Sequence, residues 1–329
     1  MKLSIVILCW NDLKVICDCL DSIIAGTHTT EYEILVSDNG SSDGSPEHIR
    51  KNFPRCRVIE NGKNLRFALG NNIGIDASRG EYVLILNPDT IIHNGSLDRL
   101  IEFADRHPEA GAFGCRVLNP DGTYQISARP FPTIRGEWIA ATLLRPLAYL
   151  DDYFISDVYM GWNGDTERLI DWQSGCCVMF RGELLKQLGG FDEQFFYYYE
   201  EVDLCKRVRI AGWPVLFTPQ ATITHLGGQS TRRFKLAFEL DKYITRYRYF
   251  YKYYGREGAK SCRRVTLASL RIRLVGFSLL QILRPSDYGK DRLELIRAAM
   301  EWNKRIDPVR LVEYGEEPDF ALRAAARIT

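Results

Sequence analysis

No apolar stretch free of charge reaches the roughly 18 residues that span a membrane. The nearest, Val265 to Leu283, is broken by Arg271 and Arg273, so the chain is expected not to cross a bilayer. Its N-terminal apolar run, about seven residues before Asn11 and Asp12, is short for a signal sequence and right for a first buried strand. The nine cysteines, Cys9, Cys17, Cys19, Cys56, Cys115, Cys176, Cys177, Cys205 and Cys262, show no paired metal spacing. They read as reduced, mostly buried thiols of a cytosolic protein. No G-x-G-x-x-G follows the first apolar run and no G-K-[ST] occurs, so the dinucleotide and P-loop fingerprints are both missing. Repeats and low-complexity tracts are absent as well.

Net charge is nearly absent too, with 43 Lys/Arg against 42 Asp/Glu, but the balance conceals an asymmetry. Arg232 to Arg273 holds thirteen Lys/Arg and three Asp/Glu, which leaves the first 231 residues acidic. A basic block of this kind suits nucleic acid or a lipid surface.

What is present is an alternation of strands and helices. Apolar runs at Ser4 to Cys9, Glu33 to Ser37, Arg57 to Glu60 and Tyr82 to Leu86 read as buried strands. Helical spacing fills the intervals: Leu13 to Gly26 with Asn11 or Asp12 as cap, Ser45 to Asn52, and a segment opening at Asn64 and stopping at Gly80. Four such units in succession predict a parallel sheet with right-handed crossovers. Ser96 to Arg106 reads as a further helix, Gly111 to Val117 as a strand, Asn119 to Gly122 as a hairpin turn, and Glu200 to Ala211 as a helix with Asp203 and Arg207 at i,i+4. Thr224 to Thr231 reads as a loop.

The stretch Tyr82 to Thr90, YVLILNPDT, carries the first chemical signal. Pro88 cannot donate to a sheet ladder and holds Asn87 extended, so the strand ends there and Asp89 stands at its carboxyl edge. That edge is where open parallel sheets bind ligands. Asp38, Asp43 and the Asn71-Asn72-Gly74 segment fall on the same rim, where carboxylates could hold a cation and a base or sugar, and backbone N–H groups of Gly70 to Gly74 could meet phosphate.

The order of motifs resembles the family 2 glycosyltransferases of the GT-A fold, and among them the rhamnosyltransferase-like branch of bacterial surface polysaccharide synthesis. The matching pieces are SIVILCWN, ILVSDNGSSDGS, NLRFALGNNIGI, YVLILNPDT, WQSGCCVMFRGELLKQLGGFDEQFFYYYEEVDLCKRVRIAGW and THLGGQS, within roughly the first 235 residues. The resemblance implies an α/β fold with a mostly parallel, Rossmann-like central sheet flanked by helices and followed by a helical C-terminal extension. It implies a glycosyltransferase domain over 1–231, with a nucleotide-sugar half (1–118) and an acceptor half (119–231), and a basic region over 232–329. The implied activity is inverting, metal-dependent transfer from a dTDP- or UDP-sugar. Trp10, Asp38 and Asp43 are assigned to the nucleoside, Arg66, Asn71 and Asn72 to the ribose and diphosphate side, Asn87 to the donor site, Asp89 to Mg2+ or Mn2+, and His225 to the metal or the diphosphate. Glu201, or Glu200 beside it, is the base; Trp172, Tyr198 and Asp203 are placed toward the acceptor. Against many relatives, Asn87 replaces an Asp, and Glu201 is one methylene longer than the usual residue.

Ordinary roles compete at several of these positions. Asp43 suits a helix cap, Asp203 an ion pair with Arg207, and the aromatic run at 195–199 core packing. In the basic region Tyr243, Tyr247, Phe250, Tyr251 and Tyr254 recur at helical spacing, continued by Leu267, Leu270, Leu274, Phe277 and Leu280. They pack on the domain or lie on anionic lipid; the lipid surface is favoured over nucleic acid, because a polyprenyl-diphosphate-linked acceptor would be found there. The expected location is cytoplasmic, peripheral on the inner face of the plasma membrane. The alternative is a nucleotide-sugar-binding scaffold without catalysis. Oligomeric state is not legible.

Overall fold

The computed structural model describes residues 1–141, 159, 161–195, 198–227 and 235–315, with side chains from Leu240 onward in the last of these ranges. The chain divides into two compact units. The first takes the described residues within Met1–Phe131, Gly161–Phe196 and Glu200–Ser230; the second takes those within Pro132–Met160, Tyr197–Tyr199 and Thr231–Thr329.

The first unit opens with β1 (Leu3–Cys9), α1 (Leu13–Gly26), β2 (Tyr32–Asp38), α2 (Ser45–Asn52), β3 (Cys56–Glu60), α3 (Arg66–Ala77) and β4 (Tyr82–Leu86). These strands pair in parallel in the order β3-β2-β1-β4, as the four strand-helix units predict. There follow β5 (Thr90–Ile92), α4 (Ser96–Arg106), β6 (Ala112–Leu118), β7 (Ala128–Arg129), and α5 (Ile134–Ala141), which belongs to the second unit. The first unit resumes with β8 (Arg168–Ile170), β9 (Trp172–Gln173), β10 (Cys177–Arg181), α6 (Gly182–Gln187), α7 (Glu200–Ile210) and β11 (Val215–His225). The sheet continues β4-β10-β6-β11-β5, with β8 on β11, while β7 and β9 form a separate ribbon. Here the all-parallel pattern is broken, because β10 runs antiparallel to both β4 and β6.

β4 is buried along its whole length and β1 nearly so, as expected of strands covered on both faces. Leu3, Ile5, Ile7 and Cys9 of β1 join a core with Ile16, Leu20 and Ile23 of α1 and Leu100, Ile101 and Phe103 of α4. On the other face α3 lies close. A Cβ on Gly74 would come within 2.4 Å of Val6 Cγ1, and one on Gly70 within 2.5 Å of Leu8 Cδ1. These glycines therefore serve close helix-strand packing inside α3, and the expectation that their N–H groups receive phosphate at a helix start is corrected. The cap of α1 also differs. Asp12 makes no capping bond; its Oδ2 accepts from Trp10 N, and the Leu13 N–H donates to Asp43 Oδ2 instead, at 2.9 Å.

The second unit contains α5, α8 (Lys235–Leu283), α9 (Asp287–Arg305) and α10 (Pro308–Tyr314). Gly255, at φ 67 and ψ −166, breaks α8 into two helical arms. In the first arm Tyr243, Tyr247 and Phe250 are buried, and Tyr247 Oη donates to Asn303 Oδ1 of α9. Arg246 pairs with Glu137 of α5. Packing thus claims those aromatics and leaves none of the three for a lipid surface. The second arm is different: Ile272, Val275, Leu279, Leu280, Ile282 and Leu283 are exposed. Between Leu240 and Leu283 an 18-residue window reaches a mean hydropathy of 1.4 with only 17% of it buried. By length and composition alone this helix is apolar enough to cross a membrane, its arginines being carried on long apolar stems. All nine cysteines are free, and all but Cys17 are buried.

Gly74→Ala is expected to destabilise the protein by about 1–3 kcal/mol, because Val6 is buried and branched and cannot swing aside. Urea unfolding checks it, and adding Val6→Ala is expected to return part of the loss.

Candidate functional site

β2 ends in Asp38, which is buried at the carboxyl edge of the sheet. Its Oδ2 accepts from the N–H groups of Gly40 and Ser41, both at 3.0 Å. Its Oδ1 is buried and meets no hydrogen-bond partner among the described residues. Trp10, half-buried, follows β1 at the same edge. Asp43 has local partners: Oδ1 takes Ser45 N and Oγ, and Oδ2 accepts from the Leu13 N–H at the start of α1.

At the start of α3, Arg66 stands in the left-handed region with φ 68. One turn later Asn71 is buried; its Nδ2 donates to Phe67 O at 2.9 Å, and its Oδ1 has no partner among the described residues. Asn72 has a structural task as well. Its Nδ2 donates to Phe191 O and its Oδ1 accepts from Phe191 N, so both ends of the amide pin the chain after α6, which leaves one N–H of the amide for another partner.

The pairing of β5 with β11 sets Thr90 opposite His225, which makes His225 the last residue of a strand and not part of a loop. As a result His225 Nε2 lies 3.2 Å from Asp89 Oδ1. Asn87 Nδ2 is 3.5 Å from the same nitrogen, and His225 Nδ1 is 2.7 Å from Gln125 Oε1. The ring thus stands between two acceptor oxygens, Gln125 Oε1 at Nδ1 and Asp89 Oδ1 at Nε2. Among the described residues no group of three or more His, Cys, Asp or Glu gathers as a metal site.

The second acidic centre opens α7. Glu200 is 5% exposed and Glu201 half-buried. Burial, and then the neighbouring Glu201 charge, pushes the Glu200 carboxyl well above the ordinary range. Burial raises Glu201 as well, against backbone hydrogen bonds that include one from Gly175 and against the Arg129 guanidinium. The Oε2 of each is buried and meets no hydrogen-bond partner among the described residues. The two acidic centres meet at one short segment: Asn87 N donates to Cys176 O at 3.0 Å, Gly175 bonds Glu201, and the Cys176 thiol is pushed up to about 12 by burial, with both Asp89 and Glu201 adding to the effect. The sequence reading singled out neither Gly175 nor Arg129.

Of the positions placed toward the acceptor, Trp172 donates from Nε1 to Pro130 O at 2.8 Å, with the Arg129 guanidinium 5.9 Å from its ring centre. Asp203 is fully buried and accepts from Arg207 Nε at 2.7 Å, so the ion-pair role wins there. Tyr198 falls in the second unit, at φ 67 with Lys242 Nζ 4.7 Å from its ring centre. Gln125 and Arg129 also went unmarked in the sequence. Polar residues at alternate positions, Gln125, Ser127 and Arg129, are the period-two signal that could have marked them.

Comparison with known proteins gives concordant results. The profile described as Glycosyl transferase family 2 matches residues 4–188. An N-acetylglucosaminyl-diphospho-decaprenol L-rhamnosyltransferase of Mycobacterium tuberculosis is 36% identical over 214 residues, 61% of this chain and 68% of that one. The rhamnosyltransferase WbbL of Escherichia coli is 24% identical, over 62% of this chain and 76% of its own length. Among solved structures, a mannosyltransferase of Pyrobaculum calidifontis in complex with GDP-Man and Mn2+ superposes with a TM-score of 0.56 at 14% identity, covering 96% of this chain and 88% of its own.

A carboxyl raised in the folded chain holds its proton more tightly there than when unfolded. Its effect is to lower stability as pH climbs from about 4.3 through the folded value. Glu200→Gln removes that loss, so the variant is expected to melt above the wild type near pH 8, with the difference closing toward about pH 4. Thermal unfolding over a pH series decides it; a variant that melts lower at pH 8 contradicts the assignment.

Proposed function

Because the chain belongs to glycosyltransferase family 2, we propose that it transfers a sugar, with inversion, from a nucleotide-diphosphate sugar to a lipid-linked saccharide acceptor. The observation that carries the reading is the convergence of Asp89–His225 and Glu200–Glu201 on Gly175–Cys176. The donor class is a dTDP- or UDP-sugar, with dTDP-rhamnose the first to try, since the M. tuberculosis relative is named for rhamnosyl transfer to a decaprenol-linked acceptor.

In this reading Asp38 Oδ1 accepts from the base, Trp10 lies against the nucleoside, and Asn71 Oδ1 and Arg66 address the ribose and diphosphate. Asn87 and Asp89 close the site at the end of β4. Mg2+ or Mn2+ held by Asp89, His225 and the donor's own phosphates would neutralise charge building on the departing nucleoside diphosphate. The acceptor hydroxyl oxygen attacks the anomeric carbon, the bond from that carbon to the phosphate oxygen breaks, and the hydroxyl proton passes to the Glu201 carboxylate. A single displacement inverts the centre. Glu200, raised by burial and by the neighbouring Glu201 charge, stands beside Glu201 as the alternative base. Trp172 forms part of the acceptor wall.

A second reading, a nucleotide-sugar-binding scaffold without turnover, draws on the sparse metal centre among the described residues. Location belongs to the proposal too: the chain works at the cytoplasmic face of the plasma membrane, with the apolar second arm of α8 and its Arg271 and Arg273 against anionic lipid.

Purified protein with a panel of nucleotide sugars and a polyprenyl-diphosphate saccharide is expected to release nucleoside diphosphate in a metal-dependent way. Glu201→Gln should cost about 10²–10⁴-fold in rate, and Asp89→Ala should abolish transfer, both with unfolding curves near wild type. Full activity in both variants sinks the enzyme assignment, and tight nucleotide binding with no turnover on any donor favours the scaffold. In flotation with phosphatidylglycerol vesicles, Val275→Glu combined with Leu279→Glu is expected to weaken binding at least about tenfold, as burial of each aliphatic side chain is worth about 1.5–3 kcal/mol. Unchanged flotation removes the arm from the membrane.

A further inference from the structure

The turn after β6 does more than reverse the chain. Asp121 Oδ1 accepts from Thr123 Oγ1 at 2.6 Å. Asn119 Nδ2 donates to the same hydroxyl oxygen at 2.9 Å, and Gln125 Nε2 donates to Asn119 Oδ1 at 2.9 Å. Gln125 Oε1 then stands 2.7 Å from His225 Nδ1.

This series can be read in one direction. An ionised carboxylate only accepts, so the Thr123 hydroxyl donates to Asp121 and its oxygen is left to accept. It therefore takes the amide N–H of Asn119, which turns the Asn119 carbonyl toward Gln125. That carbonyl takes the amide N–H of Gln125, which turns the Gln125 carbonyl toward His225. An acceptor facing Nδ1 requires a proton on Nδ1, so the neutral ring carries none on Nε2. On the other side Asn87 Nδ2 faces Nε2 as a donor at 3.5 Å and Asp89 Oδ1 faces it as an acceptor at 3.2 Å, so with Nδ1–H fixed by Gln125 the carboxylate is satisfied only by a further cation, a proton or a metal ion. A carboxylate on an exposed turn thus sets the direction in which a side chain at the sheet edge presents its lone pair.

We propose that Gln125, oriented by Asn119 and Thr123, is a positioning residue that holds His225 in the Nδ1–H tautomer and turns its Nε2 lone pair toward Asp89. The inference rests on the metal reading above for its purpose, but the tautomer itself does not depend on a metal. Partners of this kind behind a ligating histidine are commonly worth 10–100-fold in metal affinity. Gln125 touches neither donor nor acceptor in this account; it acts through His225.

The first measurement is the tautomer in metal-free, 15N-labelled protein near pH 8. With five histidines in the chain, the His225 signals are assigned by their loss in His225→Ala. The wild type is expected to show the Nδ1–H pattern, Gln125→Leu to revert toward the Nε2–H form usual for free imidazole, and Gln125→Glu, which keeps an acceptor, to retain Nδ1–H. The second is Mn2+ titration in the presence of UDP, where Gln125→Leu should bind about 10–100-fold more weakly than wild type and Gln125→Glu should stay near it. Thermal unfolding of each variant checks folding, and the near-isosteric Gln125→Glu keeps the test open if the leucine variant is unstable. An Nε2–H wild type, or a leucine variant that keeps Nδ1–H, overturns the inference. Asp89→Ala and His225→Ala separate the two layers. If both lose Mn2+ while Gln125→Leu does not, the positioning role alone fails. If neither loses Mn2+, the metal reading fails and the tautomer result still decides for or against Gln125.

Discussion

The candidate site depends on the pairing of a three-residue strand with the last residues of a long one. β5 is only Thr90–Ile92, yet its antiparallel bonds to β11 bring His225 alongside Asp89. Pro88 ends β4, the chain turns at once, and the return segment is too short to slip without losing its partner. Thr90 reinforces the turn, its Oγ1 donating to Asn87 O at 2.7 Å, and the Leu226 N–H closes onto Asp89 O at 2.9 Å. Everything placed at the carboxyl edge, from Asp38 on β2 to the Gly175–Cys176 segment before β10, takes its geometry from this end of the sheet.

The site is also where local rules of stability are set aside. Two acids in succession occupy the first turn of α7, where the helix dipole favours them, but burial raises both. The residues just before them, Tyr198 and Tyr199, hold φ values of 67 and 71, a backbone region in which non-glycine residues are strained by about 1–3 kcal/mol. Sequences concentrate such departures where chemistry needs them. By contrast Asp98, whose carboxylate is held at about 2, against burial, by hydrogen bonds from His28, Thr29 and Thr30, is a buried acid fully satisfied and fully structural.

Much of the fold was legible because its signals were continuous. The apolar runs of β1 and β4 and the helical periods of α1 and α4 each have one physical meaning, so their places emerged almost to the residue. Ambiguity arose where one residue type serves two ends. Gly70 and Gly74 were read for phosphate, while the sheet needed them for clearance. Asn71 and Asn72 look alike on paper, yet the Oδ1 of one is buried without a partner among the described residues and the amide of the other is pinned at both ends to Phe191. His225 was read in a loop because Thr222 to His225 lies beyond an irregularity in register, which no local pattern announces. Gln125 was not foreseen at all, since its role exists only in the polarity of a hydrogen-bond series. In α8 the aromatic first arm and the aliphatic second arm share one composition of apolar and basic residues, and only packing tells which half is covered.

The cysteines carry a practical consequence. Thiolate is the reactive form, and burial pushes Cys9, Cys19, Cys176, Cys205 and Cys262 up to about 12. Cys205 and Cys176 flank the acidic centre, Cys19 lies behind Thr90, and Cys262 sits in the helical unit. An alkylating reagent thus finds each of them only when the surrounding structure opens. The chain carries its own set of unfolding clocks, distributed over both units, which mass spectrometry can read one position at a time from the mass that alkylation adds.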